Sequence, residues 1–68
     1  MKLYRFLTGP DDSAFCHRIT AALNKGWQLQ GNPTLAHDPA SGRMVAGQAL
    51  VKEVEGVDYD PAMKLGDY

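Results

Sequence analysis

Between Asp11 and Trp27 the apolar residues Phe15, Cys16, Ile19, Ala22 and Leu23 stand at offsets of 0, 1, 4, 7 and 8. That spacing gathers side chains into one stripe of a helix with 3.6 residues per turn. His17, Arg18, Ala21, Asn24 and Lys25 fall on the other side, suited to water. Asp11, Asp12 and Ser13 supply acceptors for the free amides of a first turn. Pro10 is either the first helical residue, with Gly9 as cap, or lies just outside. Gly26 suits the left-handed position after the last turn, and Trp27 falls where an apolar residue packs back on it. From Asp12 to Lys25 such a helix is about 21 Å long at 1.5 Å per residue.

The flanking segments alternate as strands do. In Lys2 to Leu7, Leu3 and Leu7 share a face with Arg5, while Tyr4 and Phe6 share the other with Lys2. Trp27 to Ala36 starts with Trp27 and Leu29 inward and Gln28 and Gln30 outward, until Gly31, Asn32 and Pro33 interrupt it. A proline cannot donate to a ladder, so this strand is at an edge or bulged. His37 to Gly42, HDPASG, is a turn. Arg43 to Val54 is the longest strand. Val45, Gly47, Ala49 and Val51 form one face, small enough in the middle for a helix to lie close, and Met44, Ala46, Gln48 and Leu50 form the other.

The pattern predicts an α+β fold of order β-α-β-β: a three-stranded, mainly antiparallel sheet in the order 1-3-2, with one helix packed on one face. Residues 1–54 form a single domain. Residues 55–68, EGVDYDPAMKLGDY, lack periodicity but keep Val57, Tyr59, Met63 and Leu65, and read as an extended C-terminal arm on this chain's sheet or a partner's.

One helix leaves the far side of such a sheet bare. Tyr4, Phe6, Met44, Ala46 and Leu50 are the expected interface residues, and contiguous apolar patches of that kind mark interaction surfaces. The 68 residues lie near the lower limit for unaided folding, and a single cysteine allows no internal disulfide. A homo-oligomer, in its commonest form a dimer, is therefore expected, with an arm-covered monomer as the rival.

Charge and chemistry narrow the function without naming it. Seven basic against eight acidic residues give no field to draw nucleic acid or anionic membrane. No stretch is apolar enough to span a bilayer, MKLYRFLTG has only a broken apolar run where a secretion signal needs a continuous one, and the lone free cysteine favours a reducing, cytoplasmic setting. Cys16 and His17 are neighbours that point about 100 degrees apart on a helix, so they form no thiol–base pair, and Cys16 on the apolar stripe serves as a small hydrophobe. Two histidines, one cysteine and scattered acids make no metal set, and no cofactor is implied. TGPDD lacks the glycines and lysine of a phosphate loop, and Asp58 and Asp60 lack the rest of a calcium hand. His37 is explained by the turn it opens. The candidate ligand-binding residues are His17, Gln28, Gln30, Gln48 and Tyr59, with the glutamines forming an uncharged polar surface.

The string LYRFLTGPDDSAFCHRITAALNKGWQL, followed by GNPTLAHD and GRMVAGQALVKEV, resembles the bacterial family catalogued as domain of unknown function 1737, from Lys2 to about Val54. The resemblance implies a small cytoplasmic domain with this element order and carries over no catalytic or binding residue. The expected function is a noncatalytic, self-associating protein-interaction or regulatory module with an unidentified protein partner. The alternative is a small-ligand binder or enzyme with a polar site at a dimer interface. Nucleic-acid binding comes third, since the acids outnumber the bases.

Overall fold

Asp12 sets where the helix begins. The computed structural model describes residues 1–68. In it the Asp12 side chain accepts a hydrogen bond from the Phe15 amide at 3.2 Å. Pro10 therefore lies outside the helix, as the last residue of strand β1 (Lys2–Pro10). Helix α1 (Ser13–Asn24) ends in a Schellman motif: the Gly26 amide donates to Leu23 O and the Trp27 amide to Ala22 O, with Gly26 at φ +96°. The motif turns Trp27 under the helix, where it is buried with Leu3, Leu7, Ala22 and Leu50.

Strands β2 (Gln28–Asp38) and β3 (Arg43–Glu53) form a hairpin around residues 39–42, and β1 joins the other side of β3. The sheet is antiparallel throughout, in the order β1-β3-β2. Its one irregularity lies where glycine and proline interrupt β2: Gln30 pairs with Ala49, but Thr34 pairs with Gly47, so β2 carries two extra residues. An even insertion preserves the alternation of faces. Leu29 and Leu35 consequently stay on the same side, opposite Leu50 and Ala46.

The register decides which side of β3 the helix covers. Arg5 pairs with Leu50, Leu7 with Gln48 and Gly9 with Ala46, and these rows, with Leu3 opposite Lys52, face α1. Tyr4 pairs with Val51 and Phe6 with Ala49 on the opposite, outer face. The sequence pattern assigned the β3 residues of these rows the other way round, while Tyr4 and Phe6 stand on the uncovered face where it expects them. The small residues Gly47 and Ala49 make room for an aromatic ring on the outer face, since the Phe6 ring lies across Gly47. Ala46 and Leu50, expected at an interface, are buried under the helix side, Leu50 completely. Met44 is on that side too, at the margin of the sheet, and stays exposed.

The helix covers less than the pattern promised. Its packing is onto β1, and Ala22 is its one buried residue. Phe15 and Ile19 are half-buried, while Cys16 and Leu23 are exposed, so the expected core role of Cys16 does not hold. Leu29 and Leu35 on the same side of β2 are exposed as well. The C-terminal segment supplies part of the missing cover. Met63, Leu65 and Tyr68 pack against the core, residues Leu65–Asp67 form one 3-10 turn where no regular element was expected, and Lys25 Nζ donates to Gly66 O at 3.3 Å. Lys52 Nζ ties the segment down from the sheet by donating to Lys25 O and Tyr68 O.

Trp27 carries both a benefit and a cost. The Arg5 guanidinium lies 5.5 Å from its ring centroid, a cation–π distance. Its Nε1 is buried without a partner, which costs about 1–3 kcal/mol.

A Cβ added at Gly47 would stand 2.6 Å from Phe6 Cζ and 2.7 Å from Thr34 Oγ1. Gly47→Ala is expected to destabilise the fold by about 1–3 kcal/mol in urea unfolding. Adding Phe6→Leu, which shortens the obstructing side chain, is expected to recover part of the loss. Strictly additive costs would show that the ring does not rest on the glycine.

Candidate functional site

Two uncovered surfaces lie on opposite sides of the sheet. The outer face is built from alternate residues of all three strands. Tyr4, Phe6 and Thr8 come from β1, Val45, Gly47, Ala49 and Val51 from β3, and Gln28, Gln30, Thr34 and Ala36 from β2. No helix or strand of the chain packs over this face, and Tyr4 and Phe6 are 56% and 48% exposed. The centre is uncharged. Lys2 opposite Glu53 closes one end, and Asp38 opposite Arg43 closes the other. Thr34 Oγ1 donates to Gly47 O at 3.4 Å, and together with the Phe6 ring it buries that glycine.

The second surface is a groove of about 290 Å³ between α1 and β2, lined by Phe15, Cys16, Ile19, Thr20, Leu29, Pro33 and Gln48. Gln48 is the buried polar residue of the sheet, 5% exposed. It fills the space left by the β2 irregularity, and its Nε2 donates to Gln30 O at 3.4 Å, Gly31 O at 3.3 Å and Ala49 O at 2.9 Å. A bulge frees backbone carbonyls from the ladder, and part-buried carbonyls favour a donor in its place. The amide supplies it.

The five candidate ligand residues do not converge. Gln48 is inside the sheet's helix side rather than on a polar surface. Gln28 and Gln30 are on the outer face, where with Lys2, Lys52 and Glu53 they line a polar hollow of about 390 Å³. His17 is exposed on the helix, and Tyr59 is 66% exposed in the C-terminal segment; neither borders any surface hollow. No three of the His, Cys, Asp and Glu side chains gather around a common point that would hold a metal ion. No helix is long and apolar enough to cross a membrane.

The sequence reading missed Ala49 and Val51 as outer-face residues, and Leu29 and Pro33 as a groove wall. The signal for the first pair was the glutamine. A long amide at position 48 needs fixed partners if it is buried, and a proline-interrupted neighbouring strand provides them. That points the even-numbered β3 residues inward.

A family model described as Domain of unknown function (DUF1737) matches residues 1–53, most of the chain, and the chain belongs to that family. No curated protein and no solved structure matches it.

Replacing Gln48 with methionine keeps the length of the side chain and removes the donor. Gln30 O and Gly31 O then lose it, and the variant is expected to be destabilised by about 1–3 kcal/mol. Hydrogen exchange should speed up first in β2 around residues 30–34. Unchanged stability would mean that water satisfies those carbonyls equally well.

Proposed function

We propose that this member of the DUF1737 family is a noncatalytic, cytoplasmic module that dimerises through the outer faces of its sheets and presents the pair to another protein. The observation that carries the reading is the bare outer face. Its aromatic residues Tyr4 and Phe6 are exposed, and Met63, Leu65 and Tyr68 of the C-terminal segment pack on the other side of the sheet. Residues 1–54 form the dimerising domain in this reading, and residues 55–68 close the core as an accessory arm.

Surface area supports a missing cover. The chain exposes 4833 Å² at 7.4 kDa, about 600 Å² more than monomeric proteins of that mass present. One side of a standard interface covers about 800 Å². The long, narrow body, 44 × 23 × 19 Å, is where the excess comes from.

Charge supports a second copy as the cover. Arg43 and Glu53 end the central strand on the outer face with opposite signs, the Glu53 carboxylate, 63% exposed, also accepting from the Met1 ammonium at 3.3 Å. A twofold axis running across the strands sets each Arg43 over the partner's Glu53 and brings the two Tyr4–Phe6 patches together. An axis along the strands would instead stack Glu53 on the partner's Glu53, which repel. Aligned sheet packing accommodates the first arrangement. A second reading, a ligand site at the rim of the dimer, draws on the polar hollow lined by Gln28 and Gln30 at the edge of this face.

Sedimentation from micromolar to millimolar chain tests the proposal. The wild type is expected as a dimer at the upper end. Tyr4→Lys with Val51→Glu keeps the cross-strand pair attractive and the net charge unchanged, yet puts charges at the centre of the interface. It is expected to weaken association roughly 30-fold or more, the loss of a hot spot, with the circular dichroism of the fold retained. Arg43→Glu should weaken the dimer and Arg43→Glu with Glu53→Arg should restore it. A wild type that stays single at millimolar concentration overturns the proposal.

A further inference from the structure

We propose that the groove between α1 and β2 binds a small, flat apolar ring bearing a single N–H or O–H donor, with Gln48 Oε1 as the acceptor that orients it. The assignment starts from the two ends of the Gln48 amide. Three main-chain carbonyls lie within hydrogen-bond distance of one end, so that end is the NH2 group. The other end is then the oxygen, held in place because the nitrogen is held. Oε1 accepts no hydrogen bond from the chain, and it is not sealed from solvent as Trp27 Nε1 is. Gln48 belongs to the central strand, and its opening to solvent is the groove that it lines. A side chain 95% removed from water, 5% exposed, thus aims one free acceptor into an apolar hollow.

The rest of the wall selects the ligand. Phe15, Ile19, Leu29 and Pro33 offer apolar surface, Thr20 is the one other polar side chain besides Gln48 and Cys16, and no charged residue lines the groove. Its volume of about 290 Å³ lies just below the range for small-molecule sites, roughly 300–1,000 Å³. A hollow of that size suits one ring system. An anion is excluded for a further reason: Oε1 would meet it acceptor to acceptor. A ligand with one donor satisfies the oxygen, and a ligand without one leaves it dry and unpaired.

The groove lies on the opposite side of the sheet from the proposed dimer face, so the two fail independently. The test is a titration of 15N-labelled full-length chain with indole, an apolar ring with one N–H, and with 1-methylindole, which lacks the donor. Indole is expected to shift the backbone amides of Phe15, Ile19 and Leu29 and the Gln48 side-chain amide. The methylated ring is expected to bind at least ~5-fold more weakly, the loss of about one hydrogen bond. Cys16→Phe, a change at an exposed wall residue, should fill the hollow and abolish the shifts while the remaining spectrum stays that of the folded chain. Equal binding of both rings, binding that survives the filled groove, or no shifts at millimolar indole would each overturn the proposal. The dimerisation measured by sedimentation is expected to be the same with and without indole.

Discussion

The hydrogen bonds from Gln48 to the carbonyls of the β2 irregularity are the constraint on which the rest of the structure depends. Two extra residues in one strand of a hairpin take the part-buried carbonyls of Gln30 and Gly31 out of the ladder, and such groups cost stability when left without donors. A glutamine on the adjoining strand removes that cost and fixes the even-numbered face of β3 toward the helix. Ala46 and Leu50 follow it inside, and Val45, Gly47, Ala49 and Val51 are left facing out. The sidedness of the sheet thus follows from a polar residue as much as from the apolar ones.

A second constraint is one of size. Strands β2 and β3 have eleven residues each, and the helix has twelve. At about 3.3 Å per strand residue and 1.5 Å per helix residue, the helix spans roughly half the length of the hairpin. It lies over β1, so most of β2 is left without a layer above it. The C-terminal segment fills in around Trp27 rather than along β2, because its anchors, Lys25 and Lys52, are at that end of the molecule. The uncovered leucines of β2 follow from the shortness of the helix, and the bare outer face from there being only one helix.

Much of this was legible in the sequence. The helix and its Gly26–Trp27 stop could be read because capping is local, involving residues within one turn of each other. The hairpin, its turn and the irregularity at Pro33 followed from proline and glycine positions in the same way, whereas the central place of β3 was only suggested by the length of that strand and the proline in β2. The face of β3 was not legible from periodicity, because both of its faces carry apolar residues and the small ones lie on the face that turns outward. Gly47 and Ala49 suit a helix resting on them as well as they suit the Phe6 ring, and only pairing with a strand forty residues earlier decides between the two. The interface and ligand residues inherited that ambiguity. Tyr4 and Phe6 lie on the outer face, whereas Ala46, Leu50 and Gln48 are turned inward.

The two surfaces meet at one strand. Residues 45, 47, 49 and 51 of β3 face the outer side, and Ala46, Gln48 and Leu50 face the helix side, so each surface is backed by the other through a single layer of backbone. Gly47 and Ala49 flank Gln48 directly, and Ala49 O is itself one of the acceptors of the Gln48 amide. A shift of the Phe6 ring over Gly47 would reach Gln48 through one peptide unit. Yet the ladder on both sides of β3, together with the Nε2 contacts, resists such a shift, and backbone packed this way does not deform by small degrees. The geometry therefore favours two surfaces that work separately, one made of shape and apolar area and the other of a single oriented oxygen in an apolar groove.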